Sequence, residues 1–294
     1  MQIVRFRGAD GQPALGVFRN DRVVARFKAP HDALPALLRL PADEFREVVQ
    51  RAVAGTGLPE PDATLLPPID GETEVWAAGV TYKRSEEARM EESGTPDVYS
   101  KVYAADRPEI FFKANARRVV GPGGTVSVRA DSTWDVPEPE LAIVVNAHAE
   151  IVGYTVGYTV GNDVSSRSIE GENPLYLPQA KLYAGACALG PGITPVWEVA
   201  DPYDLTIWMM IERDGEVTWE GETSTSGLKR KLEELVEYLY REDDFPDGAI
   251  ISTGTALVPD SPFTLEAGDI VTIAIDQLGT LRTPVVRGKA ALRG

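Results

Sequence analysis

Short apolar runs broken by glycine and proline fill residues 71–294, and this punctuation limits most of the chain to β-structure. The runs are EVWAAGV, EIFFKA, LAIVV, DLTIWMMIERDGEV, AIISTGTAL and DIVTIAID. Runs of this length, rich in β-branched and aromatic residues and bounded by turn residues, predict strands. Helical spacing interrupts them twice, in the mostly polar SEEARMEES and in LKRKLEELVEYLYRE, where Ser226 or Gly227 can cap the start.

The first 70 residues have a different organisation. QIVRFR and LGVFRNDRVVARF alternate like a hairpin, and HDALPALLRL and PADEFREVVQRAV have helical spacing. The connector AGTGLPEPDATLLPPIDG, rich in glycine and proline, follows them. We therefore predict a small α+β domain over residues 1–70 and a catalytic domain over 71–294. The whole fold is expected to be α+β and predominantly β.

Composition excludes several classes of function. The chain has 294 residues, with 29 Lys and Arg against 45 Asp and Glu, and a formal net charge of −16. Such a surface repels nucleic acid and anionic membranes. The start MQIVRFRGADGQPALG has no long apolar run, so we expect neither a secretory signal nor a membrane span, and a cytoplasmic location. The single cysteine, Cys187, lies among small apolar residues and is expected to pack in the core.

A pair of carboxylates opens one of the predicted strands. In WDVPEPELAIVV, Glu138 and Glu140 stand two residues apart and lead directly into an apolar run. Side chains at i and i+2 of a strand project from the same face, so the two charges converge. A charged strand edge is one interpretation. The other is a site for a hard divalent cation, which prefers oxygen ligands.

Few other residues suggest chemistry. The only two histidines, His31 and His148, lie in turn or cap contexts, so a Ser-His-Asp or Cys-His mechanism has little support. Asp163 ends the apolar stretch before SSR, where it can face a cleft or form a turn. Lys181 is the only basic residue in NPLYLPQAKLYAGACALGP, and it either reaches water or serves a site. Lys113, near the end of EIFFKA, is likewise a basic residue in an apolar segment.

Taken in order, several segments between Trp76 and Pro284 resemble the fumarylacetoacetate hydrolase superfamily. They are AAGVTY, EIFFKA, PEPELAIVV, GYTVGNDVSSR, LPQAK, TGT and GTLRTPV. The resemblance implies a mixed β-sandwich or roll in the catalytic domain. It also implies a metal site for Mg²⁺, with Mn²⁺ or Ca²⁺ as alternatives, formed by Glu138, Glu140 and Asp163. The lysine and the loop threonine near the metal in this family match Lys181 and Thr253. GYTV occurs twice in tandem here, an insertion that preserves strand alternation.

One departure narrows the function implied by the resemblance. Hydrolases of this family carry a histidine that activates water, and the matching position in GVTYKRSEEARMEES holds Ser85. RPEIFFKA, PEPELAIVV and EGENPLYLPQAK look closest to the 2-keto-3-deoxy-D-arabinonate (equally, xylonate) dehydratase branch. This branch implies conversion of a 2-keto-3-deoxypentonate to 2,5-dioxopentanoate in oxidative pentose degradation.

The implied chemistry gives each candidate residue a role. Lys181 is the expected base or enolate partner, because burial and a neighbouring cation favour a neutral amine, although it can instead only neutralise carboxylates. Glu172 is a second acid/base candidate. Tyr82, Lys113 and Thr253 are expected to hold substrate oxygens. The expected partner is a small 2-oxo sugar acid, with no nucleic acid or membrane, and the expected assembly is a homodimer or homotetramer.

Three other functions compete with the dehydratase. A metal-dependent acylpyruvate or diketone hydrolase is the first of them. An oxaloacetate decarboxylase or a ring-cleavage isomerase is the second. A non-catalytic sugar-acid sensor is the third, because a fold by itself does not fix a function.

Overall fold

Two large sheets pack face to face, and helices cover the outer face of the larger sheet. The computed structural model describes residues 1–55, 60, 63–92, 96–148 and 155–292. The strands are β1 (Gln2–Arg7), β2 (Pro13–Arg19), β3 (Arg22–Arg26), β4 (Thr64–Leu66), β5 (Glu74–Gly79), β6 (Glu109–Asn115), β7 (Val119–Val120), β8 (Val126–Val128), β9 (Asp135–Val136), β10 (Pro139–Val145), β11 (Thr155–Asp163), β12 (Ser165–Ser166), β13 (Cys187–Pro195), β14 (Thr206–Arg213), β15 (Glu216–Ser224), β16 (Ala249–Ser252), β17 (Ile270–Ile275) and β18 (Gly279–Arg287). The α-helices are α1 (Leu34–Leu38), α2 (Ala42–Ala54), α3 (Lys83–Glu92), α4 (Pro96–Ala104), α5 (Arg167–Glu172), α6 (Leu177–Lys181) and α7 (Leu232–Leu239).

Sheet topology places β10 and β11 near the centre of the molecule. Among the described residues, the larger sheet has 11 strands in the order β3-β2-β1-β13-β11-β10-β16-β5-β6, with β4 added on β1 and β7 on β13. The smaller sheet has the order β15-β14-β17-β18-β8. The predicted class, predominantly β with mixed sheets, is confirmed. No helix in the described part of the chain is long and apolar enough to span a membrane.

Strand β10 is buried on both faces, which explains its uninterrupted apolar sequence. Leu141 and Ile143 belong to the core between the two sheets, where they join residues of β14 and β17. Ala142 and Val144 point the other way, into the core under α1 and α2. Strands buried on both faces are continuous apolar runs for this reason. Glu140 in β10, and Glu138 immediately before it, are therefore attached to a strand that is packed on both sides.

The N-terminal segment continues the larger sheet. Strands β1, β2 and β3 form an antiparallel meander, and β1 pairs with β13 through Ile3 and Ile193. Helices α1 and α2 match the two stretches with helical spacing. The division near Asp70 remains a prediction. The predicted effect of the GYTV insertion concerns a repeat whose first copy begins outside the described residues.

The helix expected in LKRKLEELVEYLYRE is shorter than the sequence predicts. The α-helix α7 begins at Leu232, after a 3-10 turn over residues 225–227. The backbone between them pairs elsewhere, because the Lys229 amide donates to the Thr81 carbonyl at 2.9 Å and Leu228 forms a bridge with Tyr82. Backbone amides that already donate to another segment cannot take part in the first turn of a helix. The cap expected at Ser226 or Gly227 is therefore wrong for α7.

A buried carboxylate in β9 makes stability depend on pH. Asp135 is fully buried, and burial raises its pKa from 3.8 to about 6. A carboxyl whose pKa is raised by folding favours the folded state most when it is protonated. The free energy of unfolding therefore falls as pH rises from about 4 to 6. A shift of about two units corresponds to roughly 3 kcal/mol.

We predict that Asp135→Asn stabilises the fold above pH 6. The amide carries no charge, so the gain in unfolding free energy should grow between about pH 4 and 6 and level off near ~3 kcal/mol. Urea unfolding at several pH values measures it. Asp131→Asn is the matched control, because Asp131 is exposed and its pKa is lowered by Arg129. An equal gain for Asp135→Asn at pH 4 and pH 8 would contradict the prediction.

Candidate active site

The start of β10 and the end of β11 bring three carboxylates together. The strands are antiparallel, with Glu140 opposite Gly161, and the Asp163 amide donates to the Glu138 carbonyl at 3.0 Å. Glu138, Glu140 and Asp163 are all buried, and each offers an oxygen within 4.8 Å of the others. The i and i+2 spacing of Glu138, just before β10, and Glu140, within it, places both glutamates on the face where β11 presents its terminal aspartate.

Two buried lysines hold this carboxylate cluster. The Lys181 Nζ, at the end of α6, lies 2.6 Å from Glu138 Oε2 and 3.2 Å from Asp163 Oδ2. It also donates to Ser165 Oγ at 2.6 Å. On the other side, Lys113 from β6 pairs with Asp163 Oδ1 and donates to the Lys181 carbonyl at 2.6 Å. Buried charges require such partners, since an unpaired charge away from water is costly.

An arginine completes the cationic side of the cluster. Arg167 is the first residue of α5, it is buried, and its Nη2 lies 3.0 Å from Glu138 Oε1. Glu140 contacts a backbone donor instead, because its Oε2 accepts the Gly254 amide at 2.9 Å. The pKa of Glu140 is raised well above its usual value, first by burial and then by Asp163 and Glu138. Burial and the two neighbouring carboxylates thus both disfavour a negative charge on Glu140.

The loop after β16 packs against the end of β5, and a glycine permits this. Gly254 has φ +88°, and a Cβ there would lie 2.1 Å from Thr81 Oγ1. Thr81 Oγ1 in turn donates to the Thr253 carbonyl at 2.6 Å. Val80 has φ 52°, which is unusual for a β-branched residue and marks a strained backbone. Both Val80 and Gly254 line the cavity described next.

A small cavity opens onto the three carboxylates. Its lining includes five acidic residues and two basic ones: Glu109, Glu138, Glu140, Asp163, Glu170, Arg167 and Lys181. Ser85, Phe111 and Thr255 also line it. A clustered set of carboxylate oxygens is the ligand set that Mg²⁺ or Mn²⁺ prefers. The residues present therefore fit a divalent metal ion.

The structure brings four of the predicted site residues into this cavity and leaves four outside it. Glu138, Glu140, Asp163 and Lys181 line it. Glu172 is exposed at the end of α5 and does not line it. Helical geometry explains the difference, because Glu170 shares the Arg167 face at i+3 and Glu172 does not.

The three residues expected to hold substrate oxygens are buried behind the cavity wall. Lys113 is engaged with Asp163 and backbone carbonyls, and Thr253 Oγ1 donates to the Leu141 carbonyl at 2.9 Å. Tyr82 is buried, and burial followed by the charge of Glu140 raises its pKa. None of the three lines the cavity, so each is placed to support the cavity wall.

Sequence reasoning missed three charged residues that line the cavity: Glu109, Arg167 and Glu170. Arg167 and Glu170 lie in SSRSIEGE, four and seven residues after Asp163, and a helical interpretation of that segment would have placed them on one face. Glu109 is the first residue of β6. Its only signal in the sequence is a carboxylate at the start of an apolar run.

The chain belongs to the fumarylacetoacetate hydrolase family, because residues 74–286 match its C-terminal domain. A probable 2-keto-3-deoxyxylonate dehydratase of Haloferax volcanii is 57% identical over 218 residues, which are 74% of this chain and 73% of the relative. A 2-dehydro-3-deoxy-D-arabinonate dehydratase of Saccharolobus solfataricus is 44% identical over 270 residues, 88% of each chain. A solved structure of 2-keto-3-deoxy-D-arabinonate dehydratase complexed with magnesium and 2,5-dioxopentanoate is 37% identical, with a TM-score of 0.80 over 98% of this chain and 99% of that one.

We predict that Glu140→Gln abolishes stabilisation by metal. A ligand that binds only the folded state stabilises it by about 2.7 kcal/mol at 100 times its Kd. Loss of a direct ligand should exceed the roughly 10–100-fold loss of affinity seen for outer-shell partners. Melting temperatures with and without Mg²⁺, and Mn²⁺ titration calorimetry, measure this.

The same substitution separates the metal site from a merely charged strand edge. Because burial already raises the Glu140 pKa, the neutral variant should be at least as stable as the wild type without metal at pH 8. Glu72→Gln, at an exposed position, is the control. A Glu140→Gln protein that keeps the wild-type response to Mg²⁺ would refute the metal assignment.

Proposed function

We propose that this protein is a hydro-lyase that dehydrates 2-keto-3-deoxy-D-arabinonate (2-keto-3-deoxy-D-xylonate) to 2,5-dioxopentanoate in oxidative pentose degradation. The observation that carries the proposal is the 44% identity to 2-dehydro-3-deoxy-D-arabinonate dehydratase over 88% of both chains. The prefixes 2-dehydro and 2-keto denote the same oxo group. The buried carboxylates, Lys181 and Arg167 around one cavity supply groups suited to this reaction.

The resident metal in this proposal is Mg²⁺, held by Glu138, Glu140 and Asp163. The carboxylate cluster and the magnesium in the related structure support this assignment. When bound, the cation supplies Lewis-acid stabilisation for the negative charge that develops on the 2-oxo group. Arg167 and Lys181 are the basic residues among the described lining of the cavity. Their positive charges attract an anionic substrate, which the acidic surface of the protein repels.

Proton transfers are assigned to two side chains of the cavity. Lys181 takes a proton from C3, and Glu109 gives a proton to the hydroxyl that leaves C4 as water. Transfer of a proton from C5 to C3, followed by tautomerisation of the resulting C4–C5 enol, then yields the aldehyde, so the overall change is the loss of one water. Glu170 follows Arg167 by three residues on α5, a spacing suited to orienting the guanidinium. Glu172 has no role in this proposal, because it is exposed.

The alternative reactions are less well served by the cavity. Neither of the two histidines in the chain lines it, and His148 contacts the Arg39 carbonyl instead. Ser85 does line the cavity, and a serine hydroxyl is a weak base for activating water. Hydrolysis of a diketone would therefore need one of the carboxylates as its base.

The experiment that tests the function compares three substrates. Purified protein with Mg²⁺ is incubated with 2-keto-3-deoxy-D-arabinonate, acetylpyruvate or oxaloacetate, each with an EDTA control. Formation of 2,5-dioxopentanoate is followed through a coupled aldehyde dehydrogenase, and pyruvate is measured separately. We expect metal-dependent aldehyde from the sugar acid alone. Pyruvate from either of the other substrates at a higher kcat/KM would replace the dehydratase with a hydrolase or a decarboxylase.

We predict that Lys181→Met separates a proton-transfer role from a neutralising one. Loss of a general base lowers kcat by about 10²–10⁴-fold. Because Lys181 occupies Glu138 and Asp163, its removal should leave Mn²⁺ binding intact or tighter. Steady-state kinetics and calorimetry give both values, with exposed Lys28→Met as control. A kcat within tenfold of the wild type would limit Lys181 to neutralisation.

Location and assembly are proposed on the sequence resemblance. We place the enzyme in the cytoplasm, as a homodimer or homotetramer. Leu175 is 84% exposed and Tyr176 is also exposed, in the turn between α5 and α6, so an apolar surface lies beside the elements that carry Arg167 and Lys181. Light scattering after size exclusion measures the assembly.

A further inference from the structure

The last residue of β5 and the first residue of β6 face each other beside the cavity. Gly79 pairs with Glu109 in the antiparallel ladder, and both residues line the cavity. A Cβ at Gly79 would lie 2.1 Å from Glu109 Oε2 and 2.8 Å from its Cδ. The glutamate side chain therefore crosses the space that any other amino acid at position 79 would fill.

The need for glycine here comes from the neighbouring side chain and not from the backbone. Gly79 is absent from the glycines with φ in the left-handed region, and the positive φ belongs to the next residue, Val80. An alanine at position 79 therefore meets no backbone strain. The three atoms nearest to its Cβ all belong to the Glu109 side chain, the first being the carboxylate oxygen at its flexible end.

Several other tightly packed glycines in this fold differ in that respect. At Gly248 the nearest obstruction is the Val145 carbonyl at 2.4 Å, and at Gly16 it is the Ala25 carbonyl at 2.6 Å. An added Cβ at those positions must push the backbone of a strand. At Gly79 the added Cβ needs only to displace a carboxylate, so the substitution leaves the fold intact and alters the cavity.

We propose that Gly79 is a positioning residue, which gives the Glu109 carboxylate its place in the cavity. The role in turnover rests on the proposed function, in which Glu109 protonates the leaving hydroxyl. An ordinary contact between a Cβ and an oxygen needs 3.4 Å or more, so alanine displaces the carboxylate by about 1 Å. A displacement of this size at a reacting group can cost on the order of 100-fold in rate.

The test is a double-mutant cycle of Gly79→Ala and Glu109→Asp. We expect Gly79→Ala to lower kcat about 100-fold, with little change in KM, in Mn²⁺ affinity or in Tm. Glu109→Asp also lowers kcat, because its shorter side chain reaches less far. The double variant should be no slower than Glu109→Asp alone, since the shortened carboxylate no longer meets the new methyl group. Gly55→Ala, at the end of α2 and away from the cavity, should match the wild type.

Several outcomes would overturn the proposal. One is a Gly79→Ala protein with wild-type kcat. Another is a multiplicative loss in the double variant, which would mean that the two residues act independently. A third is loss of Mn²⁺ binding and of melting temperature together with activity, which would mean a structural role.

A crystallographic comparison keeps this inference separate from the proposed function. If the wild type does not dehydrate the sugar acid, the proposed function fails, and the placement of Glu109 can still be measured. A Glu109 carboxylate displaced by about 1 Å in Gly79→Ala supports the inference. A carboxylate at its wild-type position overturns it.

Discussion

Repulsion among three buried carboxylates is the constraint on which the rest of the structure depends. Glu138, Glu140 and Asp163 place oxygens within 4.8 Å of one another, away from water, where unscreened charges interact strongly. Lys181 from α6, Lys113 from β6 and Arg167 from α5 each contact one or two of these carboxylates. The positions of α5, α6 and the edge strand β6 therefore follow from the need to bring cations to this point.

The scaffold meets this need with two kinds of element. The carboxylates stand at the ends of β10 and β11, and β10 is buried on both faces. Two of the compensating cations stand on short helices between β12 and β13, whose tip exposes Leu175. Anions on a deeply buried strand pair are thus matched by cations that come from a separate segment of the chain.

Local patterns in the sequence predicted the part of the site that lies on one strand or at one strand end. The i and i+2 spacing of Glu138 and Glu140 follows from strand geometry, and the isolated Lys181 reflected the cost of a charge in an apolar segment. What could not be predicted depends on register between distant strands. Lys113 lies at an irregularity of the β5–β6 ladder, where Val75 pairs with Ala114 and Trp76 with Phe112, so alternation along β6 could not predict which way its side chain points. The sequence analysis predicts Glu172 and no helix in this segment, whereas the short helix α5 places Glu170 on the same face as Arg167.

Lys181 is both a counterion of the buried carboxylates and the base in the proposed reaction. In the structure its ammonium group neutralises Glu138 and Asp163, which are two of the three ligands proposed for Mg²⁺. A divalent cation held by the same carboxylates would weaken their hold on the ammonium group and would favour its neutral form. The two roles predicted for Lys181, counterion and base, would then belong to two states of one site. A lysine suits both states because an ammonium group can lose its proton, whereas a guanidinium in its place would stay charged.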